Sequence, residues 1–161
     1  MAKGKKEKRK PLTTTLYAED KRKSIVSEKL RGIRSNIMFS HAEEIKSVLI
    51  TSEKPKAGKS IVSANIAITY AQVGYKTLII DGDMRKPTQH YQFETSNYDG
   101  LSNLIIGNSD FDKAIRSTRV KNLDLLTSGP IPTNPSELIA SESFKKIFEH
   151  LQKEYDFILI D

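Results

Sequence analysis

Four short apolar runs frame the chain, at residues 45–50, 77–81, 123–127 and 157–160. They are continuous rather than alternating, with Val48-Leu49-Ile50, Leu78-Ile79-Ile80 and Phe157-Ile158-Leu159-Ile160 as their apolar hearts. Runs of this length and composition read as strands buried on both faces, the kind found in parallel sheets. The segments between them carry helical spacing. In residues 24–41, Ile25, Val26, Leu30, Ile33, Ile37 and Met38 fall near one face, with Glu28, Arg31 and Arg34 between them and Ser24 or Ser27 as a cap. Residues 59–73 form a second helix, closed by Gly74 where a left-handed residue is wanted. Shorter helices are expected at 101–106, 111–115, 136–140 and 143–155. This alternation predicts an α/β fold, a parallel sheet with helices on both faces.

Composition narrows the classes. A chain of 161 residues fits one domain, and without cysteine it has no disulfide, thiolate metal site or cysteine nucleophile. No apolar run approaches the roughly 18 residues of a membrane span. The net charge of +6 is concentrated at one end: residues 1–10 carry six Lys/Arg and one Glu, and the remainder is nearly neutral. A broad phosphate-binding face is therefore not expected, and nucleic acid is not among the expected partners. Residues 1–20 read as a basic flexible arm, solvated or drawn to an anionic membrane surface. The globular domain is placed at 21–161.

Two strand ends carry the chemistry. The first runs into Thr51-Ser52-Glu53-Lys54-Pro55-Lys56-Ala57-Gly58-Lys59-Ser60, which opens a helix. Strand, turn, Gly-Lys-Ser and helix together cradle phosphates: backbone N–H groups and the positive helix end face the anion, Lys59 adds a mobile charge, and the Ser60 hydroxyl can bind Mg²⁺. The loop at Pro55, Lys56, Ala57, Gly58, Lys59, Ser60 and Ile61 is the expected nucleotide-binding segment. Glu53 stands where the full pattern has its first glycine. The second strand ends in Asp81-Gly82-Asp83-Met84-Arg85, and a further strand ends in Asp161. Carboxylates at the carboxyl edge of a parallel sheet sit where ligands bind. Three of them can ring a phosphate-bound Mg²⁺, one remaining free to orient or deprotonate a nucleophile.

With those residues in hand, the chain resembles the bacterial tyrosine kinases of capsule and exopolysaccharide systems, in particular the cytoplasmic catalytic subunits of Gram-positive bacteria. The resemblance runs from about residue 24 to the end. Its pieces are Pro55-x-x-Gly58-Lys59-Ser60 as Walker A, Ile79-Ile80-Asp81-Gly82-Asp83-Met84-Arg85-Lys86-Pro87 as Walker A′, Leu159-Ile160-Asp161 as the start of Walker B, and the stretch from Ser128 to Leu138. The resemblance implies a P-loop NTPase-like fold with ATP and Mg²⁺ as cofactors. Lys59, Asp81 and Arg85 would be catalytic, Asp81 as base or orienting acceptor for a tyrosine hydroxyl. Ser60, Asp83 and Asp161 would hold the metal. Glu28-x-x-Arg31-x-x-Arg34 matches the family's ring-assembly motif; the residues alone equally describe a solvated helix face. The implied partners are tyrosine-bearing protein substrates, further copies in a homo-oligomeric ring, and a transmembrane polysaccharide co-polymerase or activator adaptor that holds a cytoplasmic kinase at the membrane periphery.

The chain also departs from the pattern. Lys56 occupies a place where relatives often carry glycine. The family continues beyond the Walker B aspartate, so residues 21–161 are expected to be a partial kinase domain with the C-terminal part of the fold missing and a sheet edge exposed. The six tyrosines, at 17, 70, 75, 91, 98 and 155, are scattered rather than clustered. Two alternatives stay open: a partition- or division-site-type P-loop ATPase that phosphorylates no protein, and an inactive nucleotide-binding or assembly fragment.

Overall fold

The computed structural model describes residues 16–54 and 58–161. In chain order the elements are α1 (Tyr17–Asp20), α2 (Ile25–Met38), β1 (Ser47–Leu49), α3 (Lys59–Gln72), β2 (Thr77–Ile80), α4 (Gln89–Gln92), α5 (Leu101–Ile105), α6 (Phe111–Ala114), β3 (Ile115–Ser117), β4 (Leu123–Leu126), α7 (Pro135–Ile139), α8 (Glu142–Glu154) and β5 (Phe157–Ile160). They build a five-stranded sheet in the order β1-β5-β2-β4-β3. Its first three pairings are parallel. β3, a short strand at the sheet edge, runs antiparallel to β4 beside these parallel pairs.

The two-residue period of the strands sorts the core into layers. Ile79, Leu159, Phe157, Leu123 and Leu125 point to one face, where α3 and the buried Leu30 of α2 cover them. Leu78, Ile80, Ile158 and Leu126 point to the other, under Leu101, Leu104, Ala114 and Leu151 from α5, α6 and α8. Helices on both faces are thus as expected, and β2 is buried along its whole length. On the first face the rings of Tyr70 and Phe157 stack with centroids 3.6 Å apart. Burial raises the Tyr70 phenol to about 12.

Two local readings need correction. β1 is an edge strand rather than a fully buried one, and Leu49 is 64% exposed. Residues 16–20 are not arm: Leu16 and Ala18 are fully buried. The Ala18 N–H donates to Asn65 Oδ1 at 2.9 Å, Gln72 Nε2 donates to the Ala18 carbonyl at 2.8 Å, and the Arg119 guanidinium grips both Glu19 oxygens at 2.8 Å. Two apolar residues that fit a groove beside α3 outweigh the basic composition ahead of them. The rest of the predicted arm lies outside the described residues. No helix among the described residues is long and apolar enough to cross a membrane.

Ser24 caps α2, accepting from the Ser27 N–H at 3.1 Å. The helix does not present its three motif residues alike. Glu28 is exposed. Arg31 Nη1 folds back on the Arg22 carbonyl at 2.8 Å, and Arg34 Nη1 reaches across to the Thr69 carbonyl of α3 at 2.9 Å.

Candidate active site

The carboxyl ends of β5 and β2 lie side by side, and a parallel register brings Ile160 opposite Ile80. The next residue of each strand is therefore an aspartate beside an aspartate. The ladder continues one step further: the Asp161 N–H donates to the Ile80 carbonyl at 2.9 Å and the Gly82 N–H to the Asp161 carbonyl at 3.0 Å. Both side chains are buried, Asp81 completely and Asp161 at 4% exposure.

α3 begins against these tips. Gly58, its N-cap, has φ +85°, in the left-handed region that a residue with a Cβ rarely adopts, and no side chain caps the helix. The first-turn amides of Lys59, Ser60 and Ile61 are the groups a helix cannot satisfy internally, so an anion is their natural acceptor. Pro55, Lys56 and Ala57 lie outside the described residues.

Lys59 Nζ sits 2.9 Å from Asp161 Oδ1, a pair with the lysine 20% exposed and the carboxylate closed off from solvent. The Ser63 hydroxyl lies 3.1 Å from the same oxygen and 2.8 Å from the Lys59 carbonyl, its one proton shared between them. Asp81 accepts three backbone N–H groups: Asp83 on Oδ1 at 3.1 Å, and Thr88 and Gln89 on Oδ2 at 3.0 Å each. A carboxylate offers about four acceptor positions, so one remains. Burial pushes the Asp81 carboxyl up, the three N–H donors pull it back and the neighbouring Asp161 charge adds to the rise, leaving it at about 6. At neutral pH it is ionised yet more basic than an ordinary aspartate, which suits proton acceptance.

Two residues without a signal in the sequence close the constellation. Thr88 Oγ1 donates to Ser60 Oγ at 2.6 Å. Gln89 is fully buried, and its Nε2 donates to Asp161 Oδ2 at 2.6 Å and to the Ser60 carbonyl at 2.9 Å. The structure thus brings Lys59, Ser60, Asp81 and Asp161 together. Asp83 is turned into its own loop, where Oδ1 accepts the N–H of Lys86 at 3.0 Å and of Arg85 at 3.3 Å. Arg85 itself is exposed.

These residues fit a hydrated Mg²⁺. Among the described residues no group of three or more His, Cys, Asp or Glu is clustered to hold a metal by itself. A hydroxyl, a carboxylate and a buried amide oxygen without a partner among the described residues, Gln89 Oε1, are what a cation shared with nucleotide phosphates needs, because Mg²⁺ keeps several waters and takes few protein ligands.

Comparison with known proteins agrees with this geometry. Residues 45–161, from just before β1 to the last aspartate, match the model of an AAA domain family. CapB of Staphylococcus aureus, a presumptive tyrosine-protein kinase by name, is 66% identical over 155 residues, covering 96% of this chain and 68% of its own length. The tyrosine-protein kinase YwqD of Bacillus subtilis is 44% identical over 140 residues, covering 86% of this chain and 59% of its own. This chain belongs to the bacterial tyrosine-protein kinase family. The crystal structure of the chimerical protein CapA2B2 superposes with a TM-score of 0.89 at 55% identity, over 91% of this chain and 65% of that one. The kinase-family fold extends to a more distant neighbour, the septum site-determining protein MinD of Pyrococcus horikoshii complexed with Mg-ADP, at 26% identity and a TM-score of 0.61 over 72% of this chain and 48% of that one. The chain spans about 60 to 70% of the first two relatives' own length.

Proposed function

We propose that this chain carries the ATP site of a protein-tyrosine kinase serving capsular or exopolysaccharide synthesis. The observation that carries the reading is the buried Asp81–Asp161 pair at adjoining strand tips, facing the uncapped start of α3 and Lys59. In this arrangement the α3 amides and Lys59 hold the phosphates of ATP, so Lys59 exchanges Asp161 for a phosphate oxygen on binding. Ser60 and Asp161 would hold Mg²⁺, and Asp83, turned into its own loop, would contribute through water. When bound, Mg²⁺ neutralises charge on the phosphate oxygens. A tyrosine hydroxyl attacks the γ-phosphorus, the bond to the ADP oxygen breaks, and the phenolic proton passes to the remaining acceptor position of Asp81. Arg85, free in solvent, meets charge on the nucleotide or on the incoming substrate.

Family resemblance supports the remaining parts of the reading. Copies assemble into a ring through α2, where exposed Glu28 and the Arg31 and Arg34 side chains shape the contact, and tyrosines of one copy meet the site of the next. A transmembrane adaptor of the polysaccharide machinery holds the kinase at the cytoplasmic side of the membrane.

A division-site-type ATPase is the second reading, favoured by the fold shared with MinD. Incubation with Mg-ATP and a tyrosine peptide separates the two. Phosphotyrosine that disappears in Lys59→Met supports the kinase; ADP release with no phosphotyrosine supports the ATPase.

A further inference from the structure

The buried Gln89 side chain is the unusual feature of the site. Glutamine is mostly an exposed residue, and a buried amide is retained where its groups are used. Here the nitrogen end is used fully: Nε2 joins Asp161 Oδ2 to the Ser60 carbonyl, while the Gln89 backbone N–H holds Asp81 Oδ2. The oxygen end is not used. Oε1 is buried and, among the described residues, has no hydrogen-bond partner. A buried acceptor left unmade costs about 1–3 kcal/mol, so a donor is expected to arrive there.

The surroundings define that donor. The amide lies between Asp161 and Ser60, the carboxylate and hydroxyl suited to a hard cation, and both Asp161 oxygens already accept from protein donors. The neighbouring acceptors leave an O–H donor, a water polarised by a cation, as the group that satisfies Oε1. We propose that Gln89 is a positioning residue for the hydrated divalent cation: its amide nitrogen orients Asp161 and its carbonyl oxygen accepts a hydrogen bond from a cation-bound water. The inference rests on the nucleotide-and-metal reading of the site but not on phosphoryl transfer. The short helix α4, which starts at Gln89, thereby brings an outer partner of the cation to the end of β5.

Outer partners of this kind contribute roughly 10- to 100-fold to metal affinity. The test uses Mn²⁺ as a paramagnetic probe, titrated by electron paramagnetic resonance against the chain with saturating ADP. Wild type is compared with Gln89→Met, which keeps the length without the polar atoms, and Gln89→Asn, which keeps the polar atoms one methylene short. Both variants are expected to bind Mn²⁺ at least about 10-fold more weakly. ADP affinity measured in chelator, without metal, is expected to fall by a clearly smaller factor than Mn²⁺ affinity. That second readout separates a metal role from general loosening of the site. Mn²⁺ affinity equal to wild type in either folded variant overturns the proposal, as does a loss of metal-free ADP affinity by the same factor. Failure of wild type to bind Mn²⁺ with ADP removes the metal reading itself, whereas normal wild-type binding with unaffected variants removes only the role of Gln89.

Discussion

Replacing Asp81 with asparagine should raise the stability of the fold relative to wild type as pH climbs from 4 to 7.5, while removing its catalytic use. The reason lies in the burial of the carboxyl, which sits at 0% exposure and is raised from 3.8 to about 6. Between those values the folded state binds more protons than the unfolded chain, so wild-type stability falls as pH rises through the window and levels off above it. About two pKa units at 1.36 kcal/mol each give a cost of about 3 kcal/mol for holding the charge at pH 7.5. Asparagine is a near-isostere of the protonated acid, but its amide nitrogen carries two N–H groups and accepts nothing, whereas the acid oxygen keeps acceptor capacity. The variant therefore leaves at least one of the three N–H groups on Asp81 without its acceptor, a cost of about 1–3 kcal/mol that does not depend on pH. Urea denaturation of Asp81→Asn and wild type at pH 4, 5, 6 and 7.5 should show the variant less stable at pH 4. Its free energy relative to wild type should then rise by about 3 kcal/mol by pH 7.5. A difference between the two that does not change with pH refutes the claim that burial controls this carboxylate.

Other perturbations read different parts of the site. Lys59→Met removes one donor from buried Asp161 while Ser63 and Gln89 remain, so a stability loss of about 1–3 kcal/mol is expected by urea denaturation, together with loss of Mg-ATP binding by calorimetry. Gly100→Ala places a Cβ against the Thr127 carbonyl and the Gly129 N–H, both backbone, and should cost near the top of the about 1–3 kcal/mol typical of overpacking. Among tyrosines, Tyr98 is 87% and Tyr91 66% exposed while Tyr70 is 1%. If copies phosphorylate one another, mass spectrometry should place phosphate on Tyr98 and Tyr91 and leave Tyr70 unmodified in the folded chain.

The frame of the fold was legible because β2, β4 and β5 are unbroken apolar runs and α2, α3 and α8 are long enough for helical spacing to emerge. What escaped was short. β3 and α4 are three and four residues long, below any period a sequence can display, and β3 takes its place from pairing with β4. β1 looked buried because its residues are apolar, but burial of an edge depends on what lies beside it. In the site, Lys59 and Ser60 could be read from Gly-Lys-Ser at a strand-to-helix turn, and Asp81 and Asp161 because charge at strand ends is conspicuous. Thr88 and Gln89 could not. Their part depends on the 82–88 turn folding back over Asp81, a tertiary contact that the Pro87-Thr88-Gln89 sequence hints at only as the start of a helix. Asp83 illustrates the converse: its spacing matches a metal ligand, yet its carboxylate caps the loop that carries it.

The function proposed for these residues comes down to one event, the passage of phosphate from ATP to a tyrosine. The decisive experiment incubates the chain with γ-labelled ATP, Mg²⁺ and a tyrosine peptide, followed by phosphoamino-acid analysis. Labelled phosphotyrosine is expected in wild type and none in Lys59→Met or Asp81→Asn. Label released only as inorganic phosphate by wild type, or phosphotyrosine undiminished in Lys59→Met, rules that passage out.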